Sequence, residues 1–355
     1  MLNDKCILIT GGTGSFGKKM VQIILNQFKP KKLIIFSRDE LKQFEMSQKY
    51  SVKKYPCIRY MLGDVRDKER LYQAFKNVDY VIHAAALKQV PTAEYNPEEF
   101  IKTNVLGGMN VIDACLYNNV KNVIALSTDK ACNPINLYGA TKLCSDKLFT
   151  AANVYTGADK DTRFAVVRYG NVLGSRGSVI PFFKERAETG TLPITDADMT
   201  RFWITLDQAV YFVLASLKKM KGGEIFIPRI PSMKIIDLAE AMAPQCKIEI
   251  IGMRPGEKIH ETLVSEDEAR NATQFKECFI VQPNNNHSRE SLFDLMHLGN
   301  NNGQLCPKGF TYTSDKNTEW LGVDNLRQLV EKVSDDYSIE NSRWSMEDVL
   351  ENSDV

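Results

Sequence analysis

The first half of the chain alternates short, almost wholly apolar runs with longer segments in which apolar residues return every three or four positions. CILIT (6–10) precedes a helical pattern over 15–28, and KLIIF (32–36) precedes one over 39–49. CIRYML (57–62) leads to a short helix near 67–76, and DYVIHA (79–84) to a longer one within 97–118. NVIALS (122–127) is followed by a helix over 137–155 and then by RFAVVRY (163–169). Strands without a polar face belong inside a sheet that helices cover on both sides, so they run parallel and are joined by helical crossovers. The pattern predicts an α/β fold, a Rossmann-type doubly wound parallel sheet.

After about residue 172 the rhythm breaks. Gly and Pro gather in LGSRGSVIP, TGTLPITD and GGEIFIPRIPSM, and the elements shorten. Residues 1–172 are expected to hold the sheet, and 173–330 a smaller, interleaved C-terminal mixed α/β lobe that faces the substrate. The Asn-rich stretch 284–304 reads as a mobile loop around a short helical piece. Residues 331–355 carry eight acids against two bases and read as a solvated tail.

Composition narrows the class. A chain of 355 residues can bury a large core. With 45 Lys and Arg against 44 Asp and Glu the net charge is +1, so neither a nucleic-acid nor a membrane surface is expected. No apolar run approaches the ~20 residues of a membrane helix, and CILIT is too short for a signal segment. Eight cysteines without a CxxC pair read as reduced thiols in a cytoplasm, and four scattered histidines give no reason to expect a metal.

The chemistry begins directly after the first strand, in TGGTGSFG. Gly11, Gly14 and Gly17 form a GxxGxxG turn that lets backbone approach a pyrophosphate at a helix N-terminus. The expected dinucleotide contacts are Gly11, Thr13, Gly14, Ser15, Phe16 and Gly17 in this turn. Further contacts are expected from Ser37, Arg38, Asp39, Glu40, Leu41 and Lys42 after the second strand. An acid there favours NAD and a cation favours NADP. Arg38 and Lys42 point to NADP, while Asp39 leaves some ambiguity and Ser37 can equally cap a helix. Asp64 and Val65 of GDVRD are placed against the adenine, with a helix-capping Asp as the competing reading. Ala84 and Lys88 follow the fourth strand, and Lys88 is within reach of both cofactor and substrate.

A second constellation lies in STDKACNPINLYGATK (127–142). Thr128 ends a strand at the carboxyl edge of the sheet, where ligands of open α/β sheets bind. Tyr138 and Lys142 stand at i and i+4, on one helix face. A phenol beside an ammonium can take the proton of an alcohol while hydride leaves its carbon, with Thr128 hydrogen-bonding the same hydroxyl. In other proteins the same spacing marks an ordinary surface Tyr and Lys.

These segments, with HAAALKQVP, RYGNVLGSRGSV, ITDADMTRFW and RPGEKIHE, resemble the extended short-chain dehydrogenase/reductase superfamily. They are most similar to its inverting UDP-N-acetylglucosamine 4,6-dehydratases (4,6-dehydratase/5-epimerases). The resemblance implies conversion of UDP-N-acetylglucosamine to UDP-2-acetamido-2,6-dideoxy-β-L-arabino-hex-4-ulose, the first step toward pseudaminic acid or a related 6-deoxy amino sugar. It also implies tightly bound NADP and a homo-oligomer, a hexamer in several members. In this reading C4 is oxidised, Lys130 removes the C5 proton, Asp129 protonates the departing 6-hydroxyl, and the hydride returns to C6. Lys130 is expected to be neutral when it acts, its pKa lowered by burial beside other cations. Retaining relatives commonly carry an Asp–Glu pair here, so Lys130 argues for inversion at C5.

For the nucleotide sugar, the resemblance and the need for cations on a diphosphate implicate Lys88, Asn171, Val172, Thr195, Arg254, Glu257 and Glu319. Pro255 and Glu257 also suit a helix start. Cys132 departs from the small residue expected there, which would make the loop oxidation-sensitive. The alternatives are a retaining dehydratase or a UDP-sugar 4-epimerase using Tyr138 and Lys142, and, from another class, a non-catalytic NADP-binding sensor.

Overall fold

The computed structural model describes residues 1–156, 161–174, 179–283 and 303–334. Six parallel strands carry the N-terminal half: β1 (Cys6–Thr10), β2 (Lys32–Ser37), β3 (Ile58–Leu62), β4 (Tyr80–His83), β5 (Asn122–Thr128) and β6 (Arg163–Tyr169). They lie in the order β3-β2-β1-β4-β5-β6, the doubly wound arrangement expected from the sequence. Every residue of β1 is buried, because helices cover both faces of the sheet. Crossovers are made by α1 (Ser15–Gln27), α2 (Glu40–Lys49) and α3 (Lys68–Ala74), and after β5 by α7 (Leu137–Ala151).

The connection from β4 to β5 holds the helix expected within 97–118, continuous from Pro97 to Tyr117 through a π-helical stretch, after a short helix that was not expected. It comprises α4 (Val90–Tyr95), α5 (Pro97–Phe100), a π-helical stretch Ile101–Leu106, and α6 (Gly107–Tyr117). The wide turn sets the buried Asn104 against the segment after β4. There its Nδ2 donates to the carbonyl of Leu87 and its Oδ1 accepts from the Leu87 amide, both at 2.9 Å.

Beyond residue 172 the chain builds small sheets and then returns to the large one. β7 (Asn171–Val172), β9 (Thr200–Ile204) and β11 (Ser232–Lys234) pair as one small sheet, and β8 (Thr191–Ile194) pairs with β12 (Lys247–Ile250). β13 (Thr262–Val264) pairs with β17 (Tyr312–Thr313). A separate apolar core joins Leu173, Phe183, Leu192, Trp203, Leu238 and Leu326 between α8 (Val179–Ala187), α10 (Ile235–Met242) and α12 (Val323–Ser334).

Yet β10 (Ile225–Pro228) extends the main sheet parallel to β6. β15 (Cys278–Val281), β14 (Ala272–Gln274) and β16 (Gln304–Leu305) then follow antiparallel, making ten strands. α9 (Leu206–Lys219) packs on α1, with an ion pair from Lys19 to Asp207 at 3.3 Å. A cut at 172 therefore does not separate two packed layers: four strands and α9 from 173–330 pack with the main sheet.

The Asn-rich stretch over 284–302 and the acidic residues 335–355 lie outside the described residues. Residues 331–334, read as part of the tail, are the last turn of α12. Among the described residues no helix is long and apolar enough to cross a membrane, and no cluster of three His, Cys, Asp or Glu could hold a metal ion.

Candidate active site

A cleft of about 630 Å³ opens at the carboxyl edge of β1, β2 and β4–β6. Its floor is the glycine turn. Gly11 has φ +65°, and a Cβ there would come within 2.8 Å of the Ala85 nitrogen. A Cβ on Gly17 would sit 2.5 Å from Gly12, so helix and turn pack too closely for any side chain. Gly14 caps α1 with no side-chain acceptor, and the first turn holds no acid. Its uncapped N–H groups and dipole leave an anion site at the cleft lined by Thr13, Gly14, Ser15, Phe16 and Gly17.

At the end of β2, Ser37, Arg38, Asp39 and Lys42 also line the cleft, whereas Glu40 and Leu41 are exposed and do not. The residue that caps α2 is Asp39 rather than Ser37. Asp39 Oδ1 accepts from the Lys42 amide at 2.9 Å, and Oδ2 accepts from Lys42 Nζ. Ser37 is buried and receives Gln43 Nε2 at 3.1 Å. Arg38 Nη1 stands 3.7 Å from Asp64, which with Val65, Ala84 and Lys88 completes this part of the lining. Asp64 does not cap α3, a role taken by Asp67; it accepts from the Arg66 amide at 3.0 Å.

The opposite wall comes from β5 and α7. Thr128 ends β5 and caps a single 3₁₀ turn, Asp129–Ala131. Asn136 caps α7 by accepting from the Gly139 amide at 2.8 Å, which places Tyr138 and Lys142 on the face toward the cleft. Lys142 Nζ donates to the Leu126 carbonyl at 2.7 Å. Burial lowers the pKa of Lys142, with Asp146 acting in the opposite direction. Tyr138 is pushed up to about 12 by burial, against the pull of the Lys130 charge and a Thr128 hydrogen bond. At rest it is a neutral phenol.

Lys130 departs from the sequence expectation. Its Nζ lies 3.0 Å from Asp129 Oδ1 and 3.0 Å from Glu261 Oε1. Burial favours the neutral amine, but the two carboxylates outweigh it, and the pKa is raised rather than lowered. Anions, not cations, dominate its surroundings. Asp129 is fully buried and raised, first by burial and further by Glu261, with Lys130 opposing. Sequence reasoning missed Glu261, although it closes the RPGEKIHE motif. With Glu257 in the same motif, the sequence carried no signal that singles Glu261 out.

Of the residues expected to hold the nucleotide sugar, Lys88, Asn171 and Val172 line the cleft. Thr195, Arg254, Glu257 and Glu319 do not. No helix begins at Pro255, and Arg254 is half-exposed, 3.8 Å from Glu257. The segment is instead tied to the loop before α7: Asn136 Nδ2 donates to the Gly256 carbonyl and Lys258 Nζ to the Cys132 carbonyl, each at 2.7 Å. The Cys132 thiol is buried and raised to about 12 by burial and by Glu268. Such a thiol is inert, so the expected oxidation sensitivity is not supported.

Behind the site, Arg168 is wholly buried, its guanidinium joined to Glu268 at 2.9 Å and to Asp146 at 3.2 Å. It ties β6 to α7 and to α11 (Glu266–Ala269).

A glycine-turn dinucleotide site facing a Thr–Asp–Lys turn and a Tyr–Lys helix face defines the extended short-chain dehydrogenase/reductase class. The polysaccharide biosynthesis protein family profile matches residues 7–283. The UDP-N-acetylglucosamine 4,6-dehydratase (inverting) of Campylobacter jejuni is 57% identical over 93% of this chain and 98% of its own. The UDP-glucose 4-epimerase of Rickettsia canadensis is 43% identical over 79% of this chain and 84% of its own. The X-ray structure of Pen from Bacillus thuringiensis superposes with a TM-score of 0.82 at 38% identity, covering 93% of this chain and 99% of that one. The chain belongs to the polysaccharide biosynthesis protein family and, within it, to the inverting UDP-N-acetylglucosamine 4,6-dehydratases.

Proposed function

We propose that this enzyme converts UDP-N-acetylglucosamine to UDP-2-acetamido-2,6-dideoxy-β-L-arabino-hex-4-ulose with NADP held in the cleft. The observation that carries the reading is the pair of Lys130 with the buried Asp129 beside Tyr138, because a simple alcohol dehydrogenase or a 4-epimerase has no C5 proton to move.

The glycine cradle fits a dinucleotide, since a Cβ on Gly11 or Gly17 would fill it. NADP rather than NAD is supported at the end of β2. There the carboxylate of Asp39 is committed to the α2 cap and to Lys42, while Arg38 stands at the lining. NADP, held by the glycine turn and Arg38, would supply a hydride acceptor for C4, a hydride donor for C6 and a positive charge beside Tyr138. Tyr138, neutral at rest, would first lose its own proton to solvent as the Lys130 charge and the cofactor's positive charge favour the phenolate, which would then take the C4 hydroxyl proton, with Thr128 hydrogen-bonding the same oxygen.

Lys130 and Asp129 rest as ammonium and carboxylate with one proton shared between them. Passing that proton across 3.0 Å from Nζ to Oδ1 breaks one N–H bond, forms one O–H bond and leaves the net charge unchanged. The amine then accepts the C5 proton acidified by the C4 ketone. The acid protonates the 6-hydroxyl, which departs as water. At the enone stage the pair is again ammonium and carboxylate. Lys130 then gives its proton to the opposite face of C5, which inverts it, and the pair regains a proton through solvent, balanced by the one that Tyr138 took from the C4 hydroxyl.

Lys88, Asn171 and Val172 would hold the sugar, with Arg254, Glu257, Thr195 and Glu319 toward the nucleotide. The assignment includes a homo-oligomer, supported by Ile101, Leu106, Met109 and Tyr117, all exposed along the α5–α6 connection. A cytoplasmic setting is supported by eight unpaired cysteines, and the product is suited to 6-deoxy amino sugars such as pseudaminic acid. Purified enzyme given UDP-N-acetylglucosamine and no added cofactor is expected to yield a product lighter by one water on mass spectrometry. A product of unchanged mass with galacto configuration would contradict the reading and indicate a 4-epimerase.

A further inference from the structure

Glu261 is 1% exposed, and it has no ordinary structural partner that accounts for it. Its backbone is pinned on both sides by Ser314: the Glu261 amide donates to Ser314 Oγ and the Ser314 amide to the Glu261 carbonyl, both at 2.9 Å. The side chain is thereby aimed at the catalytic turn, where Oε1 meets Lys130 Nζ at 3.0 Å. Oε2 has no hydrogen-bond partner among the described residues. Arg201, on β9, approaches the same Oε1 only to 3.8 Å. Its Nη1 is committed to the carbonyls of Thr200 at 2.7 Å and Ile259 at 2.9 Å. A buried carboxylate is costly unless its charge is used. Here the close contact goes to Lys130, and Arg201 supplies balancing charge from further away.

Resting on the dehydratase reading, we propose that Glu261, backed by Arg201, is the positioning residue that orients Lys130 and retains the proton that Lys130 shares with Asp129. The charged groups facing Lys130 come from several elements. Asp129 lies on its own turn, Glu261 precedes β13, Arg201 is on β9, Lys88 follows β4, and Tyr138 is on α7. Lys258 acts on Glu261 from the same segment. With both carboxylates ionised, Asp129, Glu261, Lys130 and Arg201 form a neutral group of four. Without Glu261, Lys130 keeps one anion and faces Arg201 and Lys88, so the shared proton is held less tightly. Geometry and charge act in the same direction. The raised pKa of Lys130 and of Asp129 both trace in part to Glu261.

The reaction needs the pair to hold one proton, and it fails when the pair holds two or none. Activity against pH is therefore bell-shaped, and the charge of Glu261 moves both limbs upward. The test is the pH profile of keto-sugar formation by the full-length holoenzyme, wild type against Glu261→Gln and Glu261→Asp. Glu261→Gln is expected to shift both limbs to lower pH by about 1–3 units, with a loss of about tenfold or more on the wild-type alkaline limb. Glu261→Asp keeps the charge but withdraws it by one methylene, so it shifts the limbs in the same direction by less. A profile lowered at every pH with its limbs in place would overturn the proposal and leave Glu261 a structural ion pair. Should Glu261→Gln not fold, unmoved limbs in folded Glu261→Asp would overturn it equally. Wild type that forms no 4-keto-6-deoxy sugar would sink the dehydratase reading itself, an outcome distinct from active wild type and an unshifted variant.

Discussion

Arg38 and Asp39 stand side by side at the end of β2, and the fold uses them differently. Asp39 closes the first turn of α2 and pairs with Lys42, so its carboxylate serves the helix before it can serve a ribose. Arg38 is 54% exposed at the side chain and lines the cleft. Arg38→Ala is expected to weaken NADP binding by about 10–100-fold, the worth of one or two charge-assisted hydrogen bonds to a phosphate. NAD binding should change far less. Titration calorimetry with each dinucleotide checks this, and equal losses for both would contradict it. The glycine turn, the Thr–Asp–Lys turn and the Tyr–Lys face were legible in the sequence because each is a local pattern with a local physical reason. Glu261 was not. It meets Lys130 from a distant part of the chain, and nothing in residues 254–261 says which side chain the fold will turn inward.

At the scale of elements, the proposed mechanism depends on how tightly α7 sits against the Asp129–Ala131 turn. A Cβ on Gly139 would lie 2.2 Å from the Lys130 carbonyl oxygen, so this glycine lets the helix carrying Tyr138 touch the turn carrying Lys130. Gly139→Ala must push the two apart. A misplacement of about 1 Å costs on the order of 100-fold in rate, and that loss is expected in steady-state turnover with cofactor content intact. Turnover within a few-fold of wild type would show that the close contact does not matter. Strand positions were read from sequence almost to the residue, RFAVVRY among them, since an apolar run bounded by turns has few alternatives. In the β4–β5 connection the helix within 97–118 was legible but its π stretch was not, because the apolar period that announces a helix does not change visibly through a π turn. α4, VPTAEY, is short and has a proline at its second position, so its period never repeats.

At the scale of the molecule, the parallel half was legible and the return of the chain to the sheet was not. β10 lies in GGEIFIPRIP, where Gly and Pro suggest a loop, and its neighbours β6 and β15 are far away in sequence. The buried interior also sets how stability responds to pH. His83 lies wholly inside the sheet, hydrogen-bonded to Thr10 Oγ1 at 2.8 Å and stacked on Phe149. Burial, aided by the Lys142 charge, lowers its pKa to about 3. The unfolded chain protonates this histidine near pH 6.5 and the folded chain does not. Stability from this group is therefore complete above that value and is lost as pH falls through it. Between pH 7 and 5 the loss is about 2 kcal/mol by linkage, and His83→Gln should remove that part of the slope in urea unfolding. An unchanged slope in the variant would place the titrating group elsewhere.

The central claim, a C5 proton moved by Lys130 around an internal redox cycle, is tested most directly by proton NMR of the enzyme with UDP-N-acetylglucosamine in heavy water, no cofactor added. The expected spectrum is a 4-keto-6-deoxy sugar carrying deuterium at C5 with L-arabino couplings. A D-xylo product would contradict inversion, and a galacto sugar that keeps hydrogen at C5 would contradict the role of Lys130 altogether.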